Sequence, residues 1–384
     1  MQRRSRAALG VLFAVLLLAA ACGKSSDTAS TADTSKGGSA PGTGGTAIGF
    51  IMVGPKDDYG YNQAVYEGSQ AVGKANPSMK ILTAENVPET PDAERTMEDM
   101  ISQGAKIIFA TSYGHLAAAE AVAARHPDVV VVHQGGLTTD PLPNFGTYFG
   151  TVYEPVYLAG MAAGATTKSN KLGYVVAFPI PQTLENVNAF QLGAKSVNPA
   201  VTTTVVFTSS WCDPAKQAEA AKSLLDQGVD VITQHQDCTS TVIKTTEAAG
   251  AMTVGYHADA SSLAPNGWVT GSEWDWSKLY IDIVKTALDG KFTGSKYNAN
   301  FRVGYKTGEN PFIQSKFGPS VTDETKATIA EAKTRISTVG SPFEGPVVAQ
   351  DGSEIFPAGK VPSYEEIEAT AVFVKGVVGE IPKS

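Results

Sequence analysis

Short apolar runs rich in β-branched residues alternate along this chain with helix-length segments, and that alternation constrains the fold more than any other feature. The runs are AIGFIMVG (47–54), KILTAEN (80–86), KIIFATS (106–112), VVVVHQG (129–135), KLGYVVAF (171–178), VTTTVVFTSS (201–210), VDVITQHQ (229–236) and MTVGYHAD (252–259). Between most of them lie helical patterns at Ala64–Ala75, Asp92–Gln103, His115–Arg125, Leu184–Val197, Pro214–Gln227 and Ser240–Ala249. Nearly continuous apolar strands separated by helices predict a parallel sheet covered on both faces. The series occurs twice, over about 47–150 and about 168–260, so two doubly wound α/β lobes are expected. SQGAKIIFATS (102–112) echoes DQGVDVITQHQ (226–236), each a helix end, a glycine and a strand with a polar tip. Ser277–Gly290 reads as one more helix, 298–307 and 343–357 as further strands, and Tyr364–Pro382 as a helix with irregular ends.

The ends of the chain read differently. Arg3, Arg4 and Arg6 precede an apolar or small run, Ala7 to Ala21, that stops at Cys22. This pattern is a secretory signal, too short for a relaxed transmembrane helix. Ala19, Ala20 and Ala21 directly before the cysteine resemble a lipobox, with Leu18 one place earlier than usual, so acylation of Cys22 and cleavage before it are expected. Gly23 to Thr46 holds no aromatic, Leu, Ile, Val or Met and cannot bury a core, so 22–46 is expected to be a disordered tether. The expected organisation is therefore a signal peptide (1–21), the tether (22–46) and a first lobe of 47–150 plus about 260–300. A second lobe of 151–259 plus about 301–345 and a C-terminal hairpin and helix (346–384) complete it. No second apolar run of spanning length follows, which places the body outside the cytoplasm on a lipid anchor. A net charge of −8 without a basic block excludes nucleic acid, which needs clustered Lys and Arg.

In open α/β sheets, ligands bind beyond the carboxyl ends of the strands. The first lobe places Asp58, Tyr59, Tyr61, Asn62, Tyr113, His115, His133 and Gln134 there; the second places Phe178, Trp211, Asp213, His235, Asp237, His257 and Asp259, with Trp274 and Trp276 on the returning segment. Aromatic side chains on both faces of a cleft suit a flat ring, and the polar neighbours can read its edges. Asp58 serves equally well as a helix cap.

Enzyme signatures are weak. GSQAVGKA (68–75) approaches a phosphate loop, but Ala75 stands where Ser or Thr must hold magnesium, and no strand precedes it. HExxH, GxSxG and CxxC do not occur. An extracellular enzyme using His235, Asp237 or His257 as acid–base groups is the second class of reading. No cofactor is expected. With Cys22 acylated, Cys212 and Cys238 are left in an oxidising compartment, where a disulfide is favoured over free thiols or a metal site with His235 and Asp237. A bridge suits them if strands 201–210 and 229–236 are neighbours.

IGFIMVGPKDDYGYNQAVYEG (48–68), NFGTYFGTVYEPVYLAGMAAG (144–164), GYVVAFPIPQTLENVNAFQLGA (173–194), SSWCDPAKQAEAA (209–221), QHQD (234–237) and GYHADAS (255–261) together resemble the BMP, or PnrA-like, family of substrate-binding lipoproteins. The resemblance implies a periplasmic-binding-protein type I fold and a monomer that delivers ligand to the permease of an ABC importer. It also implies a purine ligand, with nucleoside- and riboflavin-binding branches and sugar receptors as alternatives. By the same resemblance Tyr61 and Phe178 stack on the base, Asp58 and Asn62 match the family's residues beside it, and Asp237 lies in the tip that contacts ligand. The expected mechanism has Asp58, Asn62 and Asp237 reading the ring edges and Trp211 and Trp274, from their tip positions, closing the pocket. His257 and Asp259 stand in the family's ribose-holding pattern, whose downstream Lys is missing here. That absence favours a free base such as adenine over a nucleoside.

Overall fold

The computed structural model describes residues 39–140 and 142–382. The expected signal peptide, Cys22 and the tether as far as Gly38 lie outside the described residues. Among the described residues no helix is long and apolar enough to cross a membrane.

The first half runs β1 (Ala47–Ile51), α1 (Tyr61–Ala75), β2 (Lys80–Ala84), α2 (Asp92–Ser102), β3 (Ala105–Ala110), α3 (Leu116–Arg125), β4 (Val130–Gln134) and β5 (Phe145–Gly150). The second runs α4 (Tyr153–Thr166), β6 (Lys171–Val176), α5 (Pro181–Val197), β7 (Thr202–Phe207), α6 (Pro214–Asp226), β8 (Val231–His235), α7 (Ser240–Ala248), β9 (Met252–His257) and β10 (Trp268–Trp274). Then come α8 (Ser277–Leu288), β11 (Asn300–Val303), β12 (Phe312–Gln314), α9 (Asp323–Val339), β13 (Val347–Val348), β14 (Glu354–Phe356), α10 (Tyr364–Glu368) and β15 (Val377–Val378).

Two sheets result, ordered β11-β5-β4-β3-β1-β2 and β12-β10-β9-β8-β6-β7-β15, with β13 and β14 forming a separate hairpin. The β1–β5 ladder and the β6–β10 ladder are parallel throughout, and β12 adds antiparallel to β10. Every residue of β1, β4, β5 and β8 is buried, which is why these strands carry apolar residues on both faces. Gly104 and Gly228 sit in the left-handed region just past α2 and α6, and let the chain turn directly into the next strand.

The lobe boundaries differ from expectation. β10 pairs with β9 and belongs to the second sheet, whereas β11 pairs with β5 in the first. The chain therefore passes between lobes three times, at β5 to α4, β10 to α8 and β11 to β12. The end of the expected tether also differs. The Gly42 amide donates to the Asp128 carbonyl (3.0 Å) and the Thr46 amide to the Gly104 carbonyl (3.0 Å), so residues 39–46 lie along the first lobe. Backbone hydrogen bonds hold this stretch, which is why its lack of apolar side chains misled. Of the helix expected over 364–382, only α10 forms; Gly376 and Gly379 take positive φ, and β15 joins the edge of the second sheet beside β7.

Candidate functional site

Asp58 sets the first turn of α1. Its carboxylate accepts from the amides of Gly60 (2.8 Å), Asn62 (3.1 Å) and Gln63 (3.0 Å) and from Asn62 Nδ2 (2.8 Å). Burial raises its pKa, and these hydrogen bonds oppose the rise. Asn62 is saturated too: Oδ1 accepts from the Gly54 amide (3.1 Å), and Nδ2 reaches Asp237 Oδ2 of the other lobe at 3.5 Å. Asp58 and Asn62, expected to read ligand edges, are not among the residues that line the cavity between the lobes. Both are committed to the frame, because the orphan amides at a helix start need acceptors.

Gly60 is required beside them. A Cβ there would lie 1.9 Å from the Asp237 carbonyl oxygen, so only glycine permits this approach between lobes. Thr239 Oγ1 donates to the Tyr59 carbonyl, and Gln182 Nε2 donates to the Gly135 carbonyl (2.6 Å). With Asn62 and Asp237, these bonds hold the lobes in a closed arrangement around the strand tips.

Cys212 and Cys238 form a disulfide, with Cα atoms 5.1 Å apart. The condition attached to it fails, since β6 lies between β7 and β8. The bridge instead joins the loops that follow them, and the Asp237 amide donates to the Trp211 carbonyl (2.9 Å) within the same tie. Two loop tips are thus clamped together, one bearing Trp211 and the other Asp237.

Between the lobes lies a cavity lined by Tyr61, Ser112, Tyr113 and Phe149 from the first lobe and Gln182, Trp211, His235, Asp237 and His257 from the second. In this closed arrangement the cavity is small, with a volume of about 30 Å³.

Burial pushes the Asp237 carboxyl far above the usual range, and neighbouring Asp58 adds to the rise. His235 is lowered to about 3 by burial, and His257 is lowered by burial and by His235. Both imidazoles are therefore neutral at pH 7. His257 takes a left-handed φ of 74° and lies T-shaped against Tyr61 at 5.0 Å. The lining includes no Lys or Arg; Arg302, nearby, donates to the Gly135 and Gly136 carbonyls (3.2 and 2.7 Å). Among the described residues no cluster of three metal-ligating side chains occurs, and the cysteines that a metal site would need are bonded to each other.

Tyr61, Tyr113, Trp211, Asp237 and His257 thus meet at the cavity. Phe178 is not among the lining residues; it is half-buried and packs edge-on against Trp211 at 5.1 Å. Trp274 is also set back, stacked on Trp276 (4.1 Å, 14°), with its Nε1 on His257. Asp259 is exposed and accepts from the Ser261 amide (3.0 Å), capping a short turn, because the chain bends out of the cleft after His257. Ser112, Phe149 and Gln182 were not singled out from the sequence. Ser112 adjoins Tyr113 at a strand tip, and Phe149 and Gln182 lie within the family-like stretches, so position alone was the available signal.

Two parallel lobes, three crossovers and a closed cavity at the strand tips define a receptor of the periplasmic-binding-protein type I class. Solute-binding proteins of ABC transporter systems share the fold: one from Aeropyrum pernix superposes with a TM-score of 0.66 at 17% identity, covering 76% of this chain and 91% of that one. One from Conexibacter woesei gives 0.63 at 19%, covering 77% and 97%. The family described as ABC transporter substrate-binding protein PnrA-like (Bmp) matches residues 46–329, and the chain belongs to it. A purine-binding protein of Brucella abortus is 34% identical over 352 residues, 90% of this chain and 97% of its own. A putative ABC transporter glucose-binding protein of Haloferax volcanii is 33% identical over 365 residues, 93% and 87%. The protein is a substrate-binding component that partners a transporter permease, and not an enzyme.

Proposed function

We propose that the protein is a lipid-anchored, monomeric receptor, held by Cys22 outside the cytoplasm, that captures a purine base and presents it to an ABC importer. The observation that carries this reading is the aromatic lining contributed by both lobes, with the buried Asp237 carboxyl among it. The ring lies between Tyr61, Tyr113 and Phe149 on one side and Trp211 on the other. Asp237, His257, His235 and Gln182 meet its edges. Stacked aromatic pairs contribute about 0.5–1.5 kcal/mol each beyond burial. The exposure of Asp259, which leaves the ribose-holding pattern without its carboxylate in the cavity, favours a free base such as adenine over its nucleoside. Phosphorylated ligands are disfavoured, because no cation lines the cavity and their charge would go unpaired. Support also comes from the purine-binding relative.

Binding stabilises the closed lobes by the difference in ligand affinity between open and closed states. The test is thermal melting and calorimetry of ligand-stripped protein with adenine, guanine, hypoxanthine, adenosine, riboflavin and glucose. A ligand at 100 times its Kd adds about 2.7 kcal/mol. Adenine is expected to give the larger shift and adenosine a smaller one. A shift with glucose and silence with every purine would replace the reading by a sugar receptor, the direction in which the Haloferax volcanii relative points.

A further inference from the structure

The Trp274 indole N–H ends on His257 Nδ1 at 3.0 Å, and both side chains are buried, with Trp274 5% and His257 2% exposed. An indole nitrogen only donates, so Nδ1 must supply the lone pair. A neutral imidazole with its lone pair on Nδ1 carries its proton on Nε2. Burial and the adjacent His235 keep the ring from taking a second proton. Nε2–H is left facing Asp237 Oδ1 at 4.0 Å, beyond hydrogen-bond reach, and both residues line the cavity. Asp237 Oδ2 is engaged by Asn62, which leaves Oδ1 beside the His257 ring. The cavity therefore offers one donor fixed in place, the His257 Nε2–H.

We propose that Trp274 is a positioning residue. It locks His257 in the Nε2–H tautomer, so that His257 reads a lone-pair ring nitrogen on the ligand. The ligand class is a heteroaromatic ring with such an unprotonated nitrogen, which adenine has and a sugar lacks. This rests on the purine reading above and adds to it the atoms read. The site selects against rings in which C–H replaces that nitrogen, because the Nε2–H would then be buried without an acceptor.

The experiment is calorimetric titration of wild-type, Trp274→Phe and His257→Gln proteins with adenine and its 1-deaza, 3-deaza and 7-deaza analogues, with ¹⁵N spectra of the His257 ring. In the wild type one deaza analogue is expected to bind at least tenfold weaker than adenine, and His257 to show a protonated Nε2 and an unprotonated Nδ1. Trp274→Phe keeps an aromatic ring on Trp276 but removes the N–H. Adenine should then weaken toward the deaza analogue, their ratio should fall below threefold, and the ring should show mixed tautomers. His257→Gln, which leaves Trp274 in place and offers an amide N–H, should retain discrimination above threefold. Equal binding of adenine and all three analogues by the wild type overturns the proposal while leaving the purine reading intact. Full discrimination by a folded Trp274→Phe protein, or a wild-type ring protonated on Nδ1, overturns the role of Trp274. Failure of adenine to bind at all overturns the purine reading itself, and with it the atoms assigned here.

Discussion

At the scale of single residues, the side chains that looked like ligand contacts divide by where their hydrogen bonds go. Asp58 spends its carboxylate on three amides and Asn62, so Asp58→Ala strands buried donors at about 1–3 kcal/mol each. Urea denaturation should show a loss of at least about 2 kcal/mol, while Asp259→Ala should leave ligand affinity within about twofold. The aromatic residues divide in the same way. Trp211→Ala removes a cavity wall and should weaken binding at least tenfold, about 1.4 kcal/mol. Phe178→Ala, which removes a ring packed against Trp211 and outside the lining, should weaken it by less; equal losses in titrations of the two variants would put Phe178 in the cavity. Tip position was legible in the sequence. Which tip residues were already saturated was not, because saturation depends on partners such as Gly54 and Asp237 that only folding brings near Asn62.

Among elements, the legible ones were those whose burial follows one pattern. Fully buried parallel strands such as β1, β4 and β8 show as apolar runs. α4 was missed because 11 of its residues, from Tyr153 to Gly164, are buried around its circumference, which leaves no polar face to set a period. α9 was missed for the opposite reason, since only Ile329 and Ile336 of its 17 residues are buried. β5 was hidden by its glycines; a Cβ at Gly146 would lie 1.8 Å from the Tyr297 carbonyl oxygen. The loops after β7 and β8 carry the second lobe's contribution to the cavity, and the disulfide spans a separation of 26 residues between them. By chain entropy such a loop is worth about 3.5 kcal/mol. Cys212→Ser with Cys238→Ser should lower stability by a comparable amount. It should also weaken ligand binding beyond what the lower stability explains, since Trp211 and Asp237 would no longer be held as a pair. Binding unchanged in a folded double variant would show that the β8 tip positions Asp237 alone.

Across the whole molecule, Glu154 links two of the three crossovers. Its carboxylate accepts from the Tyr305 amide (2.8 Å) and Asn310 Nδ2 (3.0 Å), and Asn310 Nδ2 also donates to the Thr151 carbonyl (2.9 Å). Burial raises its pKa from 4.5 to about 7 despite those two donors. A carboxyl raised on folding binds its proton more tightly in the native state. Its contribution is complete below pH 4.5 and is lost as pH rises through about 7. Stability measured by denaturation should therefore decline over that window, with buried Asp237 and Glu185 acting in the same direction. Glu154→Gln keeps an acceptor and removes the titration, so its stability should decline less; a profile as steep as that of the wild type would place the effect on the other two carboxyls.

The amino-acid sequence by itself determined the two-lobed α/β architecture and the end of each sheet that bears the site. Continuous apolar strands can be buried only between helices, and parallel strands put their carboxyl ends on one side. The family followed from ordered stretches that span most of the chain. Only the tertiary structure decided which lobe owns β10 and β11, that the disulfide ties loops beyond non-adjacent strands, and which tip residues line the cavity. Those outcomes depend on contacts between residues far apart in the chain. Asn62 meets Asp237 across 175 positions and Gln182 meets Gly135 across 47, and no local pattern records which distant partner will satisfy a buried polar group.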